Sequence, residues 1–161
     1  MLKKIKENLL PYSVAIAIPV LVGLFSALIT KDNMSIYDTI NKPPAAPPAW
    51  LFPIAWTLLY VLMGISSAIV FQKRDDLPEQ TRVAFTYYAV SLILNFGWSI
   101  IFFNMGSYVI AFFWLLFLLY TVVKTAIAYY PISHTASLLQ IPYILWLVFA
   151  GYLNFYIAFF S

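Results

Sequence analysis

The sequence predicts an all-α integral membrane protein, a bundle of five transmembrane helices. Three observations carry that prediction. Of the 161 residues, 63% are hydrophobic and only 9% charged, where soluble domains carry about 25% charged residues. The mean hydropathy is +0.88. The apolar residues also fall into long unbroken runs, each near the roughly 20 residues that a helix needs to cross hydrocarbon. Those runs lack the apolar–polar alternation of a transmembrane β-barrel.

Helix one is expected over 11–30. It follows "MLKKIK", so a cleaved signal peptide is the alternative. The run is too long for a typical signal core, and the small residues at Ser26 and Ala27 make a poor cleavage site, so a retained span is expected. A polar loop, 31–49, leads to helix two over 50–71. Helix three is placed at 83–103, helix four at 108–130 and helix five at 136–160. Pro19 and Pro142 fall inside helices one and five, where spans tolerate proline if neighbours satisfy the freed carbonyls; a kink is expected at each. The remaining breaks are too short for a soluble domain, so residues 1–161 read as one membrane domain.

Orientation follows from the excess of Lys and Arg on the cytoplasmic side of spans. With the N-terminus inside, that side collects Lys3, Lys4, Lys6, Lys73, Arg74, Arg82 and Lys124, leaving Lys31 and Lys42 opposite. The expected topology is therefore cytoplasmic N-terminus, with the C-terminus and the 31–49 loop outside. The net charge of +3 is a topology signal, and no nucleic-acid partner is expected.

The acids Glu7, Asp32, Asp38, Asp75, Asp76 and Glu79 all lie in the ends or breaks. Carriers coupled to proton or ion flow usually bury such groups in their spans. The catalytic inventory is equally thin. His134 has no acidic neighbour and no second histidine at i+4, so a metal pair is not offered; it reads as an interfacial loop residue. With no cysteine, disulfides and thiolate metal sites are excluded. No metal site is expected.

What the spans do offer is aromatic: Phe, Tyr and Trp make up 19% of the chain. Rings near helix ends, such as Tyr12, Tyr87, Tyr88, Tyr108, Tyr129 and Tyr130, suit the interfacial belt. Others form deeper stripes at helical spacing: Trp56, Tyr60, Gly64 and Ser67 on helix two; Ser91, Asn95, Trp98 and Phe102 on helix three; Tyr143, Trp146, Ala150 and Asn154 on helix five. Helix packing accounts for any one stripe, because small residues permit close approach and amides bond across the contact. Three stripes of similar make-up also describe an apolar pocket with a few polar groups, whose indoles suit a flat hydrophobic ligand. Gly64-x-x-x-Ala68 marks either a helix contact or a dimer seam.

Three segments carry a resemblance. "YDTINKPPAAPPAWLFPIAWTLLYVLMG" (Tyr37–Gly64), "LILNFGWSIIFF" (Leu92–Phe103) and "PYILWLVFAGYLNFYI" (Pro142–Ile157) resemble, in order, the signature segments of the TspO/MBR family of tryptophan-rich sensory and translocator proteins. The resemblance implies a five-helix membrane bundle, usually a homodimer, in a bacterial inner membrane. It implies a pocket that takes porphyrins such as protoporphyrin IX or haem, sterols, and synthetic isoquinoline or benzodiazepine-type compounds as ligands, with no required cofactor. By position, Tyr37 and Pro47 match loop residues over the ligand, Phe52 and Tyr60 aromatic wall positions, and Asn95 and Trp98 pocket positions on helix three. Ala150 matches a small residue that limits ligand access. Trp56 and Trp146 match the tryptophans implicated in light-dependent porphyrin breakdown, and are catalytic only if this chain performs that reaction.

The chain departs from the family pattern at Ile36 and Ala45, where aromatics are frequent, and it ends after Tyr156 with "IAFFS", lacking the base of the sterol pattern. The proline-rich "KPPAAPP" reads as a stiff strap over the bundle mouth, since proline fixes φ and lowers the entropy lost on ordering. Three functions stay open: a tetrapyrrole-binding sensor, scavenger or regulator; a light-dependent porphyrin-degrading enzyme; and a passive carrier of apolar metabolites.

Overall fold

The computed structural model describes residues 2–161, with side chains described from Leu10 onward. The side chains of Lys3, Lys4, Lys6 and Glu7, which enter the topology argument or the count of acids, lie outside the described residues. The helices are α1 (Leu2–Thr30), α2 (Ile36–Thr39), α3 (Leu51–Phe71), α4 (Pro78–Ser99), α5 (Tyr108–Tyr129), α6 (His134–Leu138) and α7 (Ile141–Phe160). α4 runs on into one π-helical turn, Ile100–Asn104. Among the described residues, five stretches are long and apolar enough to span a membrane: Leu10–Thr30, Leu51–Phe71, Pro78–Asn104, Tyr108–Tyr129 and His134–Phe160.

α1 begins at Leu2, ahead of the expected residue 11; two further helix starts differ from the sequence expectation, each for a local reason. α4 begins at Pro78, ahead of the expected residue 83. Proline suits the first helical position, where its missing N–H is not needed. Glu79 stands in the first turn, where the helix dipole favours an acid, and meets Arg82 at 2.7 Å. This turn is polar and exposed, so hydropathy alone does not register it. The fifth span is divided. The Ser133 hydroxyl accepts the Ala136 N–H at 3.3 Å and caps the short α6. α7 then starts afresh at Ile141, so Pro142 opens a helix at its second residue rather than kinking one. α1, by contrast, is helical through both Pro11 and Pro19.

Glycines set how closely α1 lies on α3. A Cβ at Gly64 would collide with the Ile16 backbone, and one at Gly23 with the Tyr60 ring. Gly64 is thus a helix contact within the chain, which accounts for the small-residue pair with Ala68 without a second copy. The opposite face of α1 presents Val14, Ile18, Leu21, Phe25 and Leu28, all exposed and spaced by three or four residues, as a lipid-facing stripe.

α4, α5 and α7 form the other side. Trp114 donates its indole N–H to the Leu94 carbonyl at 2.8 Å, with Gly97 leaving room beneath the ring. Phe112 meets Phe155 at 5.4 Å between ring centroids. Far from the strap, α3 is tied to the α6–α7 region by polar bonds: the Ser66 hydroxyl donates to the Ala136 carbonyl at 2.7 Å and accepts from the Gln140 amide at 3.0 Å. At the strap end, aromatic rings meet between α3 and α7, and a cavity opens beside them.

Candidate functional site

That cavity measures about 270 Å³. Its walls come from four spans and the strap. α3 supplies Phe52, Trp56 and Tyr60, α4 supplies Trp98 and Ser99, and the π turn adds Phe102 and Phe103. Ala150, Leu153 and Asn154 come from α7, and Gly23, Ser26, Ala27 and Thr30 from α1. None of the lining side chains is charged. The spacing explains the α3 wall: Phe52, Trp56 and Tyr60 are four residues apart, one above another on a single helical face. π-helical turns inside α-helices are rare and occur often at functional sites. Here one follows Ser99, and both of its phenylalanines reach the cavity.

The aromatic residues brace one another. Trp56 stacks on Tyr60 with centroids 5.6 Å apart and planes 27° apart. Trp98 packs on Phe102 at 5.2 Å, and its indole N–H donates to Asn154 Oδ1 at 3.2 Å. Asn154 in turn donates to the Tyr108 carbonyl at 2.9 Å, so the orientation of Trp98 is fixed from two helices away.

The expected site residues divide into two layers. Tyr37, Phe52, Trp56, Tyr60, Trp98 and Ala150 line the cavity. Asn95, Trp146 and Pro47 stand behind them. Asn95 is 1% exposed; it accepts from the Tyr60 hydroxyl at 2.9 Å and donates to the Tyr143 hydroxyl at 2.7 Å, so one amide joins three spans. Trp146 sets its edge against Phe52 at 5.9 Å and against Trp56 at 6.3 Å. Its indole N–H is buried without a partner. Pro47 contributes its carbonyl, which accepts from the Tyr37 hydroxyl at 3.1 Å.

The strap is less extended than its prolines suggest. It opens with α2, then turns where the Ala46 N–H meets the Pro43 carbonyl at 2.9 Å, and turns again into α3 through Leu51 and Pro48. Tyr37 is its anchor. The ring is buried against Phe52, 5.0 Å away, and carries the Lys42 ammonium 4.5 Å from its centroid, within reach of a cation–π attraction. Burial, and then the neighbouring Asp38 carboxylate, raise the Tyr37 phenol above its ordinary pKa. A second clasp holds the α1 end of the strap: Asn33 donates to Asn104 Oδ1 at 2.9 Å, and Asn104 donates to the Ile29 carbonyl at 3.1 Å.

The sequence reading missed the α1 wall. Its signal was present as Gly23, Ser26, Ala27 and Thr30, small and hydroxyl residues at helical spacing, but the aromatic stripes that marked the other helices are absent from it. Outside the cavity, His134 opens α6 rather than lying in a loop as expected, because Ser133 caps that turn; it is exposed and stacks on Tyr130 at 4.2 Å. Trp50 is also exposed. No group of three or more His, Asp or Glu side chains converges among the described residues.

The cavity is walled chiefly by aromatic and small apolar side chains, and none of the side chains lining it is charged. Comparison with known proteins agrees with the architecture. The sequence profile of the TspO/MBR family matches residues 15–160. The tryptophan-rich protein TspO of Chlorobaculum tepidum is 35% identical over 150 residues, 92% of this chain and 94% of that protein. The translocator protein of Bos taurus is 32% identical across 86% of this chain and 82% of its own length. The tryptophan-rich sensory protein of Cereibacter sphaeroides is 35% identical across 80% and 77%. With five apolar spans, an aromatic cavity under a proline strap and a profile match over nearly the whole length, this chain belongs to the TspO/MBR family of multi-pass membrane proteins.

Proposed function

We propose that this protein binds flat, hydrophobic ligands of the tetrapyrrole class, protoporphyrin IX or haem, in the cavity beneath the strap, and acts as a sensor, scavenger or regulator of tetrapyrrole levels. The observation that supports this most directly is the ring of aromatic faces around an uncharged cavity of about 270 Å³. Small-molecule sites run from about 300 to 1,000 Å³, so this one sits at the lower edge. Entry of a complete macrocycle requires the strap to lift and settle again over it; the polar bonds concerned, Tyr37 to Pro47 within the strap and Asn33 to Asn104 on the π turn, are reversible ones. In this reading the porphyrin is the ligand and no resident cofactor is needed. The strap faces away from the cytoplasm of a bacterial cell, and the protein works as a homodimer.

The test is saturable quenching of tryptophan fluorescence by protoporphyrin IX in detergent, compared with the Trp56→Phe, Trp146→Phe double variant. Weaker quenching in the variant supports the site. Equal quenching removes it.

A second reading draws on the Trp146–Trp56 contact. An indole lining the cavity, backed by another at 6.3 Å, suits electron donation to a light-excited macrocycle, with the outer indole refilling the inner one. Illumination of the complex, followed by porphyrin absorbance, tests it. Loss no faster than for free porphyrin eliminates photodegradation and leaves binding in place.

A further inference from the structure

Hydroxyl groups within the spans show a regular habit. Thr30 donates to the Ser26 carbonyl, Thr57 to Pro53, Ser67 to Gly64, Ser91 to Tyr88, Thr121 to Leu118 and Thr125 to Thr121. Each folds back on its own helix by three or four residues, as serine and threonine do where no better partner exists. In a bilayer this is expected, because an unpaired hydroxyl in an apolar setting is costly.

Ser66, which bonds across to Ala136, and Thr81, buried without a partner, depart from the habit away from the cavity; Ser26 and Ser99 depart from it within the cavity. Neither side chain makes a hydrogen bond to another described residue, although Ser26 is only 5% exposed. Both line the cavity. Depth brings them together. α1 and α4 run in the same direction, since each is antiparallel to α3: Ile16 lies opposite Gly64 while Gly23 meets Tyr60, and Tyr60 bonds Asn95 while Phe71 meets Phe85. The Asn104 side chain reaches the Ile29 carbonyl and sets a common level for the two helices. At the α-helical rise of 1.5 Å per residue, Ser26 lies ~4.5 Å inward of that level, and Ser99, across the more tightly rising π turn, no more than ~7.5 Å. The two hydroxyls therefore enter one cavity from adjacent helices at nearly one depth. Of the other polar groups there, the Trp98 N–H is engaged by Asn154 and the Tyr37 hydroxyl by Pro47, while the Trp56 N–H, one helix away on α3, makes no hydrogen bond to a described residue and stays the same in every serine variant used below.

We propose that Ser26 and Ser99 form the polar recognition point of the cavity, a pair of hydroxyl donors that grips one oxygen acceptor (a carbonyl or carboxyl oxygen) at the edge of an otherwise apolar, flat ligand. The proposal rests on the reading of the cavity as a ligand site and adds the feature by which ligands are told apart. A ring system bearing an oxygen acceptor is held in one orientation, and the bare hydrocarbon is held by its faces alone. A single neutral hydrogen bond changes affinity by roughly 3- to 10-fold, which sets the size of the expected preference.

The experiment uses two probes that differ only in that acceptor, pyrene and 1-acetylpyrene, titrated into the detergent-solubilised full-length protein. Saturable quenching of tryptophan emission is read after subtraction of protein-free micelles. Wild type is expected to bind 1-acetylpyrene roughly 3- to 10-fold more tightly than pyrene. The Ser26→Ala, Ser99→Ala double variant is expected to bind both alike, with pyrene affinity within about twofold of wild type. The pyrene arm doubles as the check that the cavity is intact. If the double variant loses pyrene as well, the single variants decide, each expected to lower the ratio. Equal binding of the two probes by wild type overturns the subsite while the cavity reading stands, as does a preference that survives both substitutions. Failure of either probe to saturate wild type overturns the cavity reading and the subsite with it.

Discussion

The indole of Trp146 meets that of Trp56 edge-on, with centroids 6.3 Å apart and planes at 83°, and of the two only Trp56 lines the cavity. Their substitutions should therefore differ in size. Trp56→Ala removes a wall, and losing the burial of one large aromatic costs about 2 kcal/mol, or roughly 30-fold in affinity. Trp146→Ala removes an edge contact behind that wall, worth about 0.5–1.5 kcal/mol, or roughly 3- to 10-fold. Titration of protoporphyrin IX by its own absorbance checks this without relying on tryptophan emission. A larger loss for Trp146 would move the ligand out of the cavity described here.

Asn95 makes a prediction about stability. Its amide pairs with the Tyr60 and Tyr143 hydroxyls at once, deep in the bundle. Asn95→Leu keeps the bulk and strands both phenols, each unpaired buried group costing about 1–3 kcal/mol. The detergent-solubilised variant should melt well below wild type. Adding Tyr60→Phe and Tyr143→Phe should recover much of the loss, because an apolar set of the same shape needs no partners. No recovery in the triple variant would mean that packing, not hydrogen bonding, dominates at Asn95.

The two α1–α3 glycines should fail differently. At Gly64 an added methyl meets the Ile16 backbone, and at Gly23 it meets the movable ring of Tyr60. Gly64→Ala is expected to destabilise by about 1–3 kcal/mol through overpacking, seen as a lower melting temperature with probe affinity little changed in the folded fraction. Gly23→Ala displaces a cavity wall instead, so its main effect should fall on ligand affinity. The reverse pattern would contradict the register of α1 on α3.

These cases show what was legible in the sequence. Helix existence followed from hydropathy, and the α3 wall from Phe52, Trp56 and Tyr60 at four-residue spacing. The division of labour between Asn95 and Trp98 on α4, or between Trp146 and Ala150 on α7, was not legible. Residues of one stripe differ by fractions of a turn, and which one reaches the cavity depends on how neighbouring helices are rotated. The α1 wall was hidden for another reason. Its face is made of small side chains, and those carry a packing signal and a cavity signal that look alike until Tyr60 and Phe102 are placed opposite. The polar first turn of α4 escaped because it stands beyond the apolar run that hydropathy measures.

Tyr37 offers a test of the strap that depends on pH. Its hydroxyl donates to the Pro47 carbonyl, a bond that exists only while the phenol keeps its proton. Burial and the Asp38 carboxylate raise its pKa in the folded protein above the ordinary value near 10. The folded state thus holds this proton more tightly than the unfolded chain does. The strap's contribution is fully present below about pH 10 and is lost as pH climbs from there through the raised folded value. Ligand affinity of wild type should accordingly hold steady from pH 8 to about 10 and fall above it. Tyr37→Phe lacks the bond at every pH, so it should bind roughly 3- to 10-fold more weakly at pH 8. Its affinity should decline less at high pH, and the two curves should converge. General alkaline damage to the bundle would lower both in parallel. Parallel curves would show that the Tyr37–Pro47 bond does not hold the strap closed over a ligand.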